Sequence, residues 1–250
     1  MSFTTVLISG ANRGLGRGLL ERYAAKENHI VIAANRNPEH PTSKSLHNIP
    51  TGVGSRVIIV KLDASIESDA AAAVEELTST YGIDHLDLVI ANAAIATVYP
   101  TVSQLKASDF LNHMTTNVLG FVWLFQASIP LLKKSTNPKL VTMGSAVALL
   151  GVSYQNMIPV PNAAYAPSKT LTHWMTQKIS QEEKWLLAMV ASPGWVQTDM
   201  GNDSAQYFGY GEAPDNIDKA CDGVVTVIDS ATKETHSGKM WSYDGTQMSW

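Results

Sequence analysis

One stretch near the start of the chain decides its fold: Ser9-Gly10-Ala11-Asn12-Arg13-Gly14-Leu15-Gly16. It follows a β-branched run from Thr5 to Ser9 and leads straight into a stretch of helical periodicity. The glycine spacing, G-x-x-x-G-x-G, differs from that of the usual dinucleotide fingerprint. The physical effect is the same, because glycines permit a tight turn and let backbone N–H groups and a helix N-terminus approach a pyrophosphate. The alternative is a glycine-rich turn without a ligand.

The succession of strand, turn and helix continues along the whole chain. Further strands are predicted at Ile30 to Ala34, Arg56 to Leu62, Leu86 to Ala91, Lys139 to Met143, Leu186 to Ala191 and Lys239 to Tyr243. Helices are predicted at Leu15 to Lys26, Ser65 to Tyr81, Ser103 to Lys133, about Ala163 to Lys184 and around Asp215 to Ser230. The least regular stretches are Asn37 to Ser55, Val147 to Asn162 and Thr198 to Asp215.

This alternation predicts an α/β fold. The run from Leu86 to Ala91 is almost continuously apolar, which is typical of a parallel strand covered by helices on both faces. We therefore expect a doubly wound, Rossmann-type, mostly parallel sheet of about seven strands with helices on both faces. No Pro- or Ser-rich linker divides the chain, so we expect a single domain over residues 1–250.

Composition narrows the range of partners. The 250 residues are 45% hydrophobic and carry a net charge of -4, which argues against binding nucleic acid or an anionic membrane by bulk charge. The single cysteine, Cys221, cannot form an internal disulfide. No apolar run approaches the ~20 residues of a membrane span, and no signal peptide is visible. We expect a cytoplasmic protein.

The end of the second predicted strand indicates which dinucleotide the chain binds. An NAD enzyme usually presents a carboxylate there to the ribose 2′-hydroxyl, but no acid lies between Ile30 and Pro38. Arg36 at this position and Arg13 in the glycine loop are suited to a 2′-phosphate, because a guanidinium contacts phosphate in a bidentate manner. The pattern favours NADP(H). The alternative is that both arginines are solvated surface residues.

A tyrosine and a lysine are spaced for cooperation at the start of the fourth predicted helix. In Tyr165-Ala166-Pro167-Ser168-Lys169, a separation of four places Tyr165 and Lys169 on one helix face. A phenol with a pKa near 10 is a poor acid–base group at neutral pH unless a cation lies close to it. The motif alone is common in unrelated chains, and a stray surface pair is the alternative.

Together these motifs resemble the short-chain dehydrogenase/reductase family, and the resemblance covers nearly the whole chain. The other motifs that carry it are Asn92-Ala93-Ala94, Thr116-Asn117-Val118, Ser145 after the fifth strand, Pro193-Gly194-Trp195-Val196-Gln197-Thr198, and Asp63. Within the family, Arg13, the Pro-Gly-Trp-Val segment and Trp241-Ser242-Tyr243-Asp244-Gly245 look like the branch of norsolorinic acid ketoreductase and sniffer-type carbonyl reductases.

The resemblance implies a set of residue roles. The implied catalytic residues are Asn117, Ser145, Tyr165 and Lys169. The implied cofactor contacts are Gly10, Asn12, Arg13, Gly14, Leu15, Gly16, Arg36, Asp63, Asn92, Ala93, Tyr165, Lys169, Pro193, Gly194, Val196 and Thr198. Ser145 would bind the substrate carbonyl, Tyr165 would donate a proton, and Lys169 would bind the nicotinamide ribose and lower the pKa of Tyr165. Asn117 would hold a proton-relaying water.

The substrate pocket is expected to be apolar. Ala94 stands where the family has glycine, and the interval from Ser145 to Tyr165 is several residues longer than in the family, so it must bulge. The candidate pocket residues are Tyr154, Met157, Trp195, Met200 and Tyr207. With no Arg after Arg56 to clamp an anion, such walls suit a flat or polycyclic ketone, and the branch implies reduction of a bulky ketone, as in secondary metabolism.

Other chemistries fit the sequence less well. The segment Gly144 to Ala148 lacks the second glycine of a nucleophile elbow, and the seven histidines lack zinc spacing, so we expect neither a serine hydrolase nor a metal. Two alternatives stay open: a non-redox dehydratase, isomerase or cyclase on the same scaffold, and a non-enzymatic NADP(H)-binding regulator. The substrate is expected to be a small molecule, and the chain a homodimer or homotetramer.

Overall fold

The computed structural model describes residues 3–151 and 160–249, and one sheet dominates it. Its strands are β1 Thr4–Ser9, β2 His29–Asn35, β3 Arg56–Lys61, β4 Leu88–Ala91, β5 Lys139–Met143, β6 Leu187–Ser192, β7 Met240–Ser242 and β8 Gln247–Met248. They form an eight-stranded sheet of order β3-β2-β1-β4-β5-β6-β7-β8. All pairs are parallel except β7 with β8. The predicted Rossmann-type sheet is confirmed, with the short β8 added at its edge.

The helices follow the predicted alternation. They are α1 Gly14–Ala24, α2 Pro41–Lys44, α3 Glu67–Ser79, α4 Ala107–His113, α5 Gly120–Leu132, α6 Tyr165–Glu182, α7 Asp199–Tyr207, α8 Ile217–Ser230 and α9 Lys233–His236. The helix predicted from Ser103 to Lys133 is two helices, α4 and α5, joined by π-helical turns over Met114–Leu119.

Two stretches expected to be irregular contain helices. Pro41 begins α2, which the fixed φ of proline at a first helical position favours. Thr198 is the N-cap of α7, and its hydroxyl accepts a hydrogen bond from the Gly201 backbone N–H at 3.1 Å. Both signals are short and local, so a reading based on apolar periodicity misses them.

Both faces of the sheet are buried, as the apolar strands predicted. Val6 and Ile8 of β1 point to one face, where they join Leu19 of α1 and Val224 of α8 in a hydrophobic core. Leu7, between them, points to the opposite core with side chains of α3 and α5. Side chains alternate along a strand, so burying consecutive residues requires helices on both sides.

One long apolar segment packs into the core. Ala107–Leu132 is long and apolar enough by length and composition to cross a membrane, with a mean hydropathy of 1.3, which the sequence analysis did not expect. Half of its most apolar 18-residue window is buried inside the protein, where α5 contacts α3 and β4. A core helix of a soluble domain has these properties.

The parallel sheet gathers the predicted motifs at one edge. The glycine loop follows β1, Asn92 follows β4, Ser145 follows β5 and Pro193 follows β6. Because these strands run in the same direction, their carboxyl ends lie at the same edge of the sheet. Chain order thus places residues from four loops around a single crevice.

Candidate active site

The glycine loop is held by the amide side chains of Asn92 and Asn35. Gly10 and Gly14 have φ values of +67° and +53°, which residues with a Cβ rarely adopt. The Asn92 Nδ2 donates to the Ser9 and Gly10 carbonyls at 2.9 and 3.1 Å, and the Asn35 Oδ1 accepts from the Ala11 N–H at 2.8 Å. Asn92, predicted as a cofactor contact, thus shapes the loop. Asn35 was not predicted, although it ends β2.

Asn12 and Gly16 constrain the loop further. The Asn12 Nδ2 donates to the Thr42 hydroxyl of α2 at 2.7 Å, which ties the loop to the segment after β2. A Cβ at Gly16 would lie 2.2 Å from the Gly10 carbonyl oxygen, so a side chain has no room there. Leu15 lies between them in the first turn of α1 and packs against the core.

The two arginines proposed for the 2′-phosphate differ in their surroundings. Arg36 is exposed directly after β2. The Arg13 Nη1 lies 3.0 Å from the Asp199 Oδ2, and both side chains are largely exposed, at 67% and 74%. Surface ion pairs of this kind contribute little to stability, so Arg13 can exchange Asp199 for a phosphate at small cost.

The predicted adenine contact, Asp63, follows β3. Its Oδ1 accepts hydrogen bonds from the Ser65 backbone N–H at 2.9 Å and from the Ser65 hydroxyl at 2.7 Å. The Asp63 backbone N–H donates to the Asp69 Oδ2 at 2.9 Å. These bonds stabilise the turn that leads into α3, at the edge of the sheet where adenine would lie.

Ser145, Tyr165 and Lys169 converge where β5 ends and α6 begins. The Ser145 and Tyr165 side chains are hydrogen-bonded to each other. The Lys169 Nζ lies 5.7 Å from the centre of the Tyr165 ring and donates to the Met143 carbonyl at 2.9 Å. One turn of helix separates Tyr165 from Lys169, as the spacing predicted, and the loop after β5 brings Ser145 to them.

Burial shifts the pKa values of both groups. It raises the pKa of the Tyr165 phenol to about 12, against the opposing effect of the Ser145 hydrogen bond, and the nearby Tyr99 adds to the rise. Burial also lowers the pKa of the Lys169 ammonium to about 8. The pKa of Tyr165 is therefore raised in the chain alone, although Lys169 was expected to lower it. Desolvation of the buried phenolate outweighs the Lys169 ammonium, which lies 5.7 Å from the centre of the ring.

Asn117 lies in the π-helical turns between α4 and α5. Its side chain accepts from the Ile95 N–H at 2.8 Å and donates to the Ile95 carbonyl at 2.9 Å and to the Ser168 hydroxyl at 2.9 Å. A cavity of about 10 Å³ lies beside it, lined in part by Lys169 and Thr142. That volume is close to the minimum for one water molecule.

The Pro193–Thr198 segment is clamped by a carboxylate that sequence analysis missed. Asp215 accepts from the Trp195 N–H at 2.7 Å and from the Tyr243 hydroxyl at 2.9 Å. Its backbone also pairs with that of Trp195 and Gln197. Gly194, with a φ of +85°, leaves room for the Asp215 carboxylate, since a Cβ there would lie 2.3 Å from its Oδ2. Asp215 lies in an irregular stretch, and nothing in its local sequence indicates this role.

Aromatic side chains surround the entrance to this crevice. The Tyr207 ring is 5.0 Å from that of Tyr99, and the Phe208 ring is 5.1 Å from Tyr99. Tyr207 is 62% exposed. Sequence analysis missed Tyr99, although it stands in the loop after β4. Tyr154 and Met157, two of the predicted pocket residues, lie outside the described residues.

Trp195 and Met200 also lie at this entrance. The Trp195 Nε1 donates to the Ser204 hydroxyl at 2.9 Å, and its ring packs edge-on against Tyr210 at 5.5 Å. Met200 is half-buried in the first turn of α7. Trp195 thus anchors α7 through its indole N–H, and its place in the substrate pocket stays a prediction.

Comparison with known proteins identifies the class to which this fold and site belong. The family model described as short chain dehydrogenase matches residues 4–207, and the chain belongs to this family of oxidoreductases. It is 39% identical over 250 residues to norsolorinic acid ketoreductase nor1 of Dothistroma septosporum, covering 99% of this chain and 92% of that protein.

Two solved structures extend the comparison to the fold. The NADPH-bound carbonyl reductase from chicken fatty liver is 25% identical, with a TM-score of 0.84 and full coverage of both chains. The carbonyl reductase Sniffer of D. melanogaster is 23% identical, with a TM-score of 0.83 over 99% of this chain and 100% of that one. The predicted family, branch and enzyme class are confirmed.

Proposed function

We propose that this chain reduces the carbonyl group of an apolar, aromatic or polycyclic ketone with NADPH. Its similarity to a norsolorinic acid ketoreductase supports this reaction and a role in secondary metabolism. The observation that carries the proposal is the convergence of Ser145, Tyr165 and Lys169 at the sheet edge that also holds the glycine loop. Consumption of NADPH upon addition of an aromatic ketone, followed by absorbance, is the direct test. Turnover without NADPH consumption would favour a non-redox reaction instead.

The residues at the crevice fit NADP(H). Gly10 and Gly14 form a turn in which positive φ values leave backbone N–H groups at a helix N-terminus, which suits a pyrophosphate. Arg36 supplies positive charge directly after β2, in a stretch from Ile30 to Pro38 that has no acidic residue, and Arg13 supplies it from the glycine loop. A Cβ at Gly14 would lie 3.4 Å from the Thr198 Cγ2, so the glycine loop and the nicotinamide-side segment lie close together. When bound, the cofactor supplies a hydride to the carbonyl carbon.

Ser145, Tyr165 and Lys169 each have a different role in the proposed reaction. The Ser145 hydroxyl binds the substrate carbonyl oxygen and, through its hydrogen bond with Tyr165, aligns the two hydroxyls. Tyr165 donates its proton to the oxygen as negative charge develops there. Its raised pKa keeps the phenol protonated at neutral pH, so the proton is available. Lys169 binds the nicotinamide ribose and places a positive charge near the developing phenolate.

Asn117 and the Pro193–Thr198 segment complete the proposal. The cavity between Asn117 and Lys169 is sized for one water, through which Lys169 can be reprotonated. Val196 and Thr198 lie in the segment clamped by Asp215, from which they would hold the carboxamide of the nicotinamide. No group of three or more His, Cys, Asp or Glu is placed to hold a metal within residues 3–151 and 160–249, and a metal-free reaction stays a prediction.

Cofactor preference is testable at Arg36. We expect NADPH to bind about ten- to a hundredfold more tightly than NADH, because charge-assisted contacts with the 2′-phosphate contribute ~1.5–3 kcal/mol. Arg36→Ala should lose most of this preference in a fluorescence titration. Arg56→Ala is the matched control, since Arg56 is also exposed but begins β3, at the opposite edge of the sheet. Equal affinities in the unmodified protein would contradict the assignment to NADP(H).

The aromatic entrance predicts substrate preference. Aromatic and polycyclic ketones should exceed small charged keto acids and sugars in kcat/KM, because Tyr99, Tyr207 and Trp195 offer ring faces to a flat substrate. Tyr207→Ala should lower kcat/KM for a polycyclic ketone about two- to tenfold, as expected for loss of one aromatic contact of ~0.5–1.5 kcal/mol.

The control for this change is Tyr81→Ala. Tyr81 is also partly exposed, but it follows α3 at the other end of the sheet. A panel measured at fixed NADPH that ranked keto acids or sugars first would contradict the apolar pocket, even if the reductase activity were present.

The compartment and the assembly of the protein are also part of what we propose. Enzymes of this family are generally soluble, and we propose that residues 1–250 act as a single domain in the cytoplasm on a small-molecule ketone. Assembly as a homodimer or homotetramer stays a prediction, as does the lack of nucleic-acid and membrane partners.

A further inference from the structure

We infer that His173 is a positioning residue that holds Ser145 in place by accepting the hydrogen bond of its backbone N–H. The distance from the Ser145 nitrogen to the His173 Nε2 is 3.2 Å. His173 lies on α6, one turn beyond Lys169, and is buried. The inference rests on the proposed function, because it assigns His173 a role through Ser145.

The bond belongs to a set of contacts between α6 and the segment 143–148. The Lys169 Nζ donates to the Met143 carbonyl at 2.9 Å, and the Thr170 hydroxyl donates to the Ala148 carbonyl at 3.0 Å. His173 adds the contact at Ser145 itself. Residues 169, 170 and 173 share one face of a helix, so α6 holds the strand end and the turn that carry Ser145 at three points.

A histidine suits this position because its ring is neutral. A backbone N–H donates to Nε2, so Nε2 carries no proton and the ring proton is on Nδ1. Burial and, to a smaller extent, the positive charge of Lys169 together lower the pKa of His173 to about 3. A protonated ring would turn an N–H toward the Ser145 N–H. The lowered pKa keeps the ring neutral, and Nε2 available as an acceptor, at neutral and mildly acid pH.

Gly144 allows the ring to approach this closely. A Cβ at Gly144 would lie 2.8 Å from the His173 Nε2 and 2.3 Å from the Val190 Cγ1. The Gly144 N–H donates to the Ala191 carbonyl of β6 at 2.8 Å, which fixes the turn on its other side. The backbone at Ser145 is thus fixed by two hydrogen bonds, one from the Gly144 N–H to β6 and one from the Ser145 N–H to His173.

Loss of the acceptor should affect the chemical step. A fully buried N–H left without a partner costs ~1–3 kcal/mol, and the partly buried Ser145 N–H would cost up to this amount unless the turn moves to satisfy it. Movement of the turn would displace the Ser145 hydroxyl from Tyr165, to which it is hydrogen-bonded. Misplacing a group that orients the substrate lowers turnover more than it lowers cofactor binding.

The test compares three substitutions at His173. We expect His173→Leu to lower kcat about ten- to a hundredfold with the Kd for NADPH unchanged. His173→Gln should recover most of the rate, since its amide oxygen can reach the position of Nε2. His173→Asn, which is polar but shorter, should stay slow. His236→Leu is the matched control, because His236 is a buried histidine that stacks on Trp241, away from the crevice.

A double-mutant cycle with Ser145→Ala tests whether His173 affects kcat through Ser145. If His173 acts through Ser145, adding His173→Leu to Ser145→Ala should lower kcat less than twofold further. A full additional loss in a slow Ser145→Ala background would overturn the inference and leave the proposed function standing. A near-normal rate in Ser145→Ala alone would contradict the proposed role of Ser145, and the inference would fall with it. If His173→Leu does not fold, the Gln and Asn variants carry the same comparison, and equal rates in these two overturn it.

Discussion

Tyr165→Phe should keep its fold and its affinity for NADPH while losing about a hundred- to ten-thousandfold in kcat, the range supplied by a positioned acid. The change removes only the phenolic oxygen, and the ring remains packed at the start of α6. Because the Tyr165 oxygen is hydrogen-bonded to Ser145, its loss also removes the alignment of the two hydroxyls. Steady-state kinetics with a saturating ketone and NADPH measure the effect.

Tyr23→Phe is the matched control for this prediction. Tyr23 is likewise buried, and its hydroxyl donates to the Asp229 carboxylate at 3.3 Å, on the side of the sheet covered by α1 and α8. Its loss should change stability slightly and leave kcat unchanged. A Tyr165→Phe variant with a near-normal rate would show that the proton comes from another group.

Gly16→Ala should destabilise the protein and weaken NADPH binding together. The added Cβ would lie 2.2 Å from the Gly10 carbonyl oxygen and 2.5 Å from the Asn92 Nδ2, so the glycine loop must shift. Overpacking of this kind costs ~1–3 kcal/mol. At about 2–4 °C per kcal/mol for a chain of this size, Tm should fall by several degrees. The rise in Tm upon addition of NADPH should shrink as well, because a shifted loop no longer fits the pyrophosphate.

Gly211→Ala is the control for the added methyl group. Nothing lies within 4 Å of a Cβ built at Gly211, and its φ is not in the left-handed region. This variant should therefore unfold at the same temperature and bind NADPH as the unmodified protein does. Unchanged Tm and NADPH binding in Gly16→Ala would contradict the close packing of the glycine loop.

The fold, the glycine loop and the Tyr165–Lys169 pair could be predicted because their signals are local, and the other crevice residues were implied by the family resemblance. A glycine loop after an apolar strand, a Tyr and Lys one helical turn apart, and apolar runs between helical periods each arise within a few residues. Backbone geometry and side-chain period then act on them in the same way in any chain that contains them. The mostly parallel sheet followed from these signals, with about seven strands expected and eight present. The place of Ser145 beside Tyr165 was implied by the family resemblance and not by any local signal.

The residues that were missed act over long separations. Asp215 clamps Trp195 from 20 positions away, and His173 reaches Ser145 across 28. Tyr99 joins Tyr207 from a different loop. Each is an ordinary residue in its own stretch, and its partner is set only when parallel strands and their helices bring distant loops together.

Sequence by itself determined the class of fold, the order of the motifs and the residue types available at the crevice, since these depend on local geometry and on the hydrophobic period. Only the tertiary structure decided the electrostatics and the support of the site. Lys169 was expected to lower the pKa of Tyr165, yet burial raises it to about 12 in the chain alone. Desolvation depends on everything packed around a group, and a pattern of neighbours along the chain does not contain that information.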